Sequence, residues 1–161
     1  MVIALVAGAG VPPHAASAPA TTVVVERYAN GRVRREAAYR NGRLDGLVRG
    51  FYENGALEYQ RAYHDGLEDG EHLGWYAGGA AKFDYHYAHG LSEGVQRQWY
   101  PDGRAFTEFE YTHGHELGRQ RMWNPDRTIR SNYVIRDGRR YGLIGAMGCT
   151  GRGKPEPQES R

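Results

Sequence analysis

Six of the seven histidines (His64, His72, His86, His89, His113 and His115, all between residues 23 and 142) and a single cysteine, Cys149, are the residues in this chain best suited to metal or thiol chemistry. His89 and His113 precede equivalent glycines 24 residues apart. In a stack of hairpins, equivalent residues recur every ~9.6 Å, two strand spacings. Zinc holds its nitrogens at about 2.0–2.1 Å, so these two side chains cannot share an ion without distortion. His113 and His115 flank Gly114 and suit a two-point chelate, but the sequence places no third ligand there. The plainer role for His89 and His113 is to stand in for Asn or Asp at a turn with left-handed backbone. No metal and no cofactor is expected.

Cys149 lies in LIGAMGC and has no second cysteine to pair with. In an oxidising compartment such a residue is a free thiol or an intermolecular bond; as a small apolar residue it also suits a buried site, the reading preferred here. No serine is set with a histidine and an acid in a nucleophile motif. Gly151-Arg152-Gly153-Lys154 lacks the spacing of a phosphate loop. Glu58 and Glu108 recur on a polar strand face, where they are solubilising. No catalytic residue emerges, and the expectation is a protein that is not an enzyme.

The elements that must carry these residues come from a repeat. Gly46, Gly70, Gly94, Gly118 and Gly142 close five successive units, and Gly42, Gly66, Gly90, Gly114 and Gly138 precede each closure by four residues. Aromatic pairs recur in phase at Phe51-Tyr52, Trp75-Tyr76 and Trp99-Tyr100, and a second aromatic row runs Tyr39, Tyr63, Tyr87, Tyr111, with Ile135 in the fifth unit. Self-similarity at a fixed period is the signature of a repeat protein.

Within a unit, two turn signals bracket a strand of about eight residues. The first turn is Asn30-Gly31, Asn54-Gly55, Gly78-Gly79 and Asp102-Gly103, read as type I′ because these pairs tolerate positive φ. The second is Asn41-Gly42, Asp65-Gly66, His89-Gly90, His113-Gly114 and Asp137-Gly138. Between them Leu57, Tyr59, Arg61 and Tyr63 alternate with Glu58, Gln60, Ala62 and His64, and the next unit repeats the pattern. The fold class is therefore all-β, an elongated antiparallel meander of repeated β-hairpins of about ten strands. Neighbouring units cover one another, because one hairpin cannot bury its own apolar face. The fifth unit departs, with Asn124 in place of the tyrosine and Arg127 in place of the first-turn glycine.

Residues 1–20 differ from the array. MVIALVAGAGV followed by PPHAASAPA resembles the apolar and cleavage regions of a secretory signal peptide, although no basic segment precedes it. Export to the periplasm or beyond is the expectation, with an Ala/Pro-rich leader as the alternative. The repeats occupy 23–142, an apolar cap 143–149, and a polar tail, expected to be disordered, 150–161. Lys and Arg number 21 against 19 Asp and Glu. The first and fifth units are basic and the middle three acidic. That balance points to no nucleic-acid partner, and charged ends suit a sheet that avoids edge-to-edge association.

The unit's wording resembles the bacterial variant of the MORN repeat, most closely at Asn41-Gly42-Arg43-Leu44-Asp45-Gly46 and Phe51-Tyr52-Glu53-Asn54-Gly55. The likeness spans 23–142. Proteins of that kind are often catalogued as YwqK-like antitoxins, and MORN repeats elsewhere serve as scaffolds for protein contact or membrane association. The resemblance carries no catalytic residue. It implies an interaction scaffold with a protein partner or, alternatively, an antitoxin-like inhibitor; a periplasmic metal-handling or thiol-active protein is a third reading. Tyr76 and Tyr100 are the expected docking residues and Trp75 and Trp99 their structural neighbours, on the premise that adjacent strand residues face opposite ways.

Overall fold

A computed structural model describes residues 20–144, and all regular structure among them is β. The leader up to residue 19, the cap beyond Ile144 with Cys149, and the tail lie outside the described residues. The strands are β1 (Thr22–Arg27), β2 (Val33–Arg40), β3 (Arg43–Phe51), β4 (Leu57–His64), β5 (Leu67–Trp75), β6 (Ala81–Ala88), β7 (Leu91–Ser92), β8 (Gly94–Trp99), β9 (Ala105–Thr112), β10 (His115–Trp123), β11 (Ile129–Arg136) and β12 (Arg139–Leu143). They form one antiparallel sheet in chain order, with β7 and β8 as two parts of a strand interrupted at Glu93. At ~4.8 Å per strand the meander is on the order of 50 Å long. No helix among the described residues is long and apolar enough to cross a membrane.

The two turns divide the geometry differently from the sequence expectation. The second turn is the type I′ one: Asn41 and Gly42 have φ of 51° and 76°, and His89 and Gly90 have 51° and 82°. His89 and His113 do occupy left-handed backbone, at φ 51° and 49°. In the first turn only the glycine position is left-handed, as at Gly55 with φ 91°. There the Gly55 N–H donates to the Tyr52 carbonyl and the Tyr52 N–H donates to the Ala56 carbonyl, both at 2.8 Å. This is a type I turn followed by a bulge, closed by Asn54 Oδ1 accepting from the Ala56 N–H. Asn30, Asp102 and Asp126 make the same side-chain contact in their units. The side-chain acceptor, rather than a tolerance of positive φ, is what selects Asn and Asp there.

Four of the five second-turn hairpins carry a large bulge, three residues against one. Ala37 pairs with Val48 and Tyr39 with Leu44, so the residues Asp45, Gly46 and Leu47 oppose Ala38 alone. The equivalents oppose Ala62, His86 and Glu110. Such a bulge disrupts the ladder and leaves the single opposing residue without its regular partners. The residue that re-enters the ladder behind each bulge is buried: Val48 is 4% exposed, His72 2%, Gln96 7% and Gln120 0%. His72 Nε2 lies 2.8 Å from the Ala62 carbonyl, Gln96 Nε2 donates to the His86 carbonyl at 2.7 Å, and Gln120 Nε2 donates to the Glu110 carbonyl at 2.8 Å. Gln96 Oε1 also accepts from the His86 N–H at 3.0 Å. These side chains supply bonds that the bulge removes, which is why polar residues occupy the most buried row. The fifth hairpin has no such bulge, and β11 and β12 pair in unbroken register.

Candidate functional site: an uncovered aromatic face

Alternation gives the sheet two dissimilar faces. On one, the cross-strand pairs place Ala37, Val48, Arg61, His72, Tyr85, Gln96, Phe109, Gln120 and Tyr133 in a single row across the strands. Tyr59 and Phe83 flank this row on one side, and Tyr63, Tyr87 and Tyr111 on the other. Phe83 stacks on Tyr85 with centroids 4.8 Å apart, and His72 sits 5.5 Å from Tyr63 and 4.6 Å from Tyr87. The Arg61 guanidinium lies 4.8 Å over the Tyr59 ring. Every one of these aromatic rings except Tyr133 stays half-buried. No second layer packs over them among the described residues.

Volume is matched pair by pair on this face. Where β3 and β5 have Gly50 and Gly74, the opposing residues are Tyr59 and Phe83, and each ring lies over its glycine. A Cβ on Gly74 would sit 2.2 Å from a Phe83 ring carbon. In the next two units the sizes reverse: Gln98 opposes Thr107 and Met122 opposes Ser131. The switch from aromatic to threonine helps open a pit of about 130 Å³ lined by Tyr85, Tyr87, Ser92, Gln96, Gln98, Thr107, Phe109 and Tyr111. Gln98 donates an amide N–H to the Tyr85 hydroxyl at its rim. Burial pushes the Tyr85, Tyr87 and Tyr111 phenols up, so they remain neutral donors at physiological pH. Burial likewise pushes the His72 imidazole down, against the opposing pull of the Ala62 carbonyl and Glu68. His72 is therefore held neutral as a donor to that carbonyl.

The opposite face is charged and pairs its own groups. Arg97 Nε donates to Glu108 at 3.4 Å, and Arg121 donates to the other oxygen of the same carboxylate. Partial burial pushes Glu108 up, but the two arginines outweigh it and hold the carboxyl below its ordinary value. Arg49 donates to Gln60 at 3.0 Å, and His86 Nε2 lies 3.1 Å from Asp84. A hollow of about 750 Å³ lies on this side between Val95, Glu110, Leu117, Arg119, Val134 and Arg136, wide open and lined by both signs of charge.

The four aromatics singled out from the sequence all belong to this charged side. Trp75 and Trp99 follow Gly74 and Gln98 in their strands and so face away from the uncovered rings. Tyr76 and Tyr100 stand one residue past the strand ends, where alternation no longer governs. Tyr76 lies 5.7 Å from the Lys82 ammonium, and Tyr100 lies 5.0 Å from Phe106, both neighbours on the charged side. Their hydroxyls are engaged. Tyr28, Tyr52, Tyr76 and Tyr100 donate to the carbonyls of Phe51, Trp75, Trp99 and Trp123 at 2.7, 2.8, 2.8 and 2.9 Å. Each phenol thus ties its own first turn to the last strand residue of the next unit. The recurrence of tyrosine at this position was visible in the sequence; its bond was not. The buried roles of His72, Gln96 and Gln120 had no signal, because a bulge reads as ordinary strand.

Histidines at the second turns meet carboxylates of the preceding unit. His64 Nδ1 lies 3.5 Å from Asp45 and His89 Nδ1 3.4 Å from Asp69, while the His113 N–H donates to Glu93 at 2.8 Å. Among the described residues no group of three His, Cys, Asp or Glu side chains is placed to hold a metal ion. Comparison with protein-family models and with curated proteins finds no match.

Proposed function

We propose that this chain is an exported, non-enzymatic interaction scaffold that docks a protein partner on its aromatic face. The observation that carries this reading is the set of half-buried tyrosine and phenylalanine rings on a single-layer sheet with no covering layer among the described residues. Aromatic rings interleaved with polar side chains suit protein docking, because tyrosine contributes large contact area at low entropic cost. The charged face offers less, since several of its groups, such as Arg97, Glu108 and Arg121, already pair with one another. The signal-peptide-like leader supports a partner outside the cytoplasm, and the MORN-like wording of the unit supports a scaffold over a catalyst. Trp75 and Trp99, with Tyr76 and Tyr100, form the alternative docking surface on the charged side.

Affinity capture from the native host with the full chain separates the two surfaces. Tyr63→Gln with Phe109→Gln uses a residue this face already carries at positions 96 and 98. That variant should lose the partner while keeping its circular-dichroism spectrum. Lys82→Glu, beside Tyr76, should retain it. Capture that survives the first variant and fails in the second contradicts the aromatic face and assigns docking to the charged one.

A further inference from the structure

We propose that β1 is a self-association edge, at which two copies of this chain pair antiparallel about a two-fold axis through Val24. β1 hydrogen-bonds only to β2, so its outer backbone groups have no strand partner among the described residues. All six of its residues are exposed, with Val23 at 59%, Val24 at 45% and Val25 at 43%. Sheet proteins guard such an edge with lysine, proline, a bulge or an inward charge. Thr22 to Val25 carry none of these. The only register shift lies beyond them, between Glu26 and Arg27, and the Glu26 carboxylate is engaged by Arg35 at 2.9 Å.

The other end of the sheet is built differently. β12 places Arg139 and Arg140 on the edge strand itself and follows the basic β11. One guarded and one open edge allow a closed, isologous pair and no extended fibre. Pairing about Val24 sets Val24 against Val24, Val23 against Val25, and Thr22 against Glu26, so no like charges oppose each other. A two-fold axis normal to the sheet keeps the aromatic faces of both copies on the same side. The rings of the two arrays then form one surface of double length with two equivalent docking sites. The pairing itself is independent of whether that face binds a partner.

A six-residue edge buries less than the roughly 1,200 Å² of a stable complex, so the dimer is weak and depends on concentration. The first unit is basic, with arginines 27, 32, 34, 35, 40 and 43 outnumbering its acids. Screening this repulsion should tighten the pair at higher salt. Sedimentation velocity on the full chain should show monomer at low concentration, dimer at high concentration, and a shift toward dimer with added salt. Val24→Lys should remain monomeric throughout with an unchanged circular-dichroism spectrum, while Tyr141→Lys on β12 should dimerise as the parent does. Register is tested separately in a Cys149→Ser background. There Val24→Cys should form an intermolecular disulfide on oxidation and Val23→Cys should not, because position 23 faces position 25. A parent chain that stays monomeric at every concentration and salt overturns the proposal, as does equal cross-linking of the two cysteine variants.

Discussion

The two faces of this sheet use the same strands and reach opposite solutions. On the charged face, residues such as Arg97, Glu108 and Arg121 find their partners on adjacent strands. On the aromatic face, the rows of rings meet along the sheet, and no second layer of the described residues packs above them. The contrast also extends to what each face contributes to stability. The aromatic face holds the buried row that repairs the bulges, whereas exposed ion pairs contribute about 0–1 kcal/mol each. A single layer can therefore be held together from one side and still present that side to a partner.

The largest expected effect lies in the repair row. Gln96→Leu keeps much of the volume but strands the His86 N–H, at about 1–3 kcal/mol for a donor buried without a partner, while the His86 carbonyl keeps the Glu93 N–H at 3.0 Å. Gln60→Leu on the charged face removes only the acceptor of an Arg49 bond and should cost under about 1 kcal/mol. Urea denaturation midpoints compare the two directly, and equal midpoints would remove the distinction between the faces.

Next in size is the volume match. Gly74→Ala must displace the Phe83 ring and should destabilise by about 1–3 kcal/mol. Gly78→Ala, in a first turn with nothing within 4 Å of the added methyl, should be neutral or slightly stabilising by comparison. Thermal melts of the pair test whether ring packing over glycine matters. Smaller again is Tyr76→Phe, which deletes the bond to the Trp99 carbonyl while keeping the ring, for about 0.5–1.5 kcal/mol.

His72 gives the aromatic face a pH dependence that its glutamine equivalents lack. Burial depresses its folded pKa below the ordinary histidine value of about 6.5, so the unfolded chain takes up the proton first. The stabilisation is complete above about pH 6.5 and is lost as pH falls from there toward the folded value. Glu68 opposes the shift and Arg61 reinforces it. His72→Gln, which copies positions 96 and 120, should flatten the stability profile between neutral and mildly acidic pH. An unchanged slope in that variant would place the titration elsewhere.

Much of the architecture was legible from the sequence because the period is written in residues with strong backbone preferences. Paired left-handed positions such as Asp65-Gly66 and alternating runs such as Leu57 to His64 leave few alternatives to a hairpin array. The assignment of turn types was not legible. Asn54-Gly55 and Asn41-Gly42 use the same letters, and they differ only in whether asparagine enters left-handed backbone or accepts a bond from Ala56. The bulges were hidden for a related reason: Asp69-Gly70-Glu71 reads as strand until its register with Ala62 is known. The aromatic rows were visible, but which rings remain open depends on how pairs such as Gly74 and Phe83 pack. Tyr76 and Tyr100 stood out by composition, while the carbonyls they reach are backbone groups that carry no sequence signal.

The most direct measurement is hydroxyl-radical footprinting of the full chain, free and bound to its captured partner. In the free protein Tyr63, Tyr87, Phe109 and Tyr111 should be oxidised readily, and partner binding should protect them while Lys82 and Phe106 on the charged side change little. Protection confined to the charged side, or aromatic-face rings that are already protected in the free chain, would contradict an uncovered aromatic face as the docking surface.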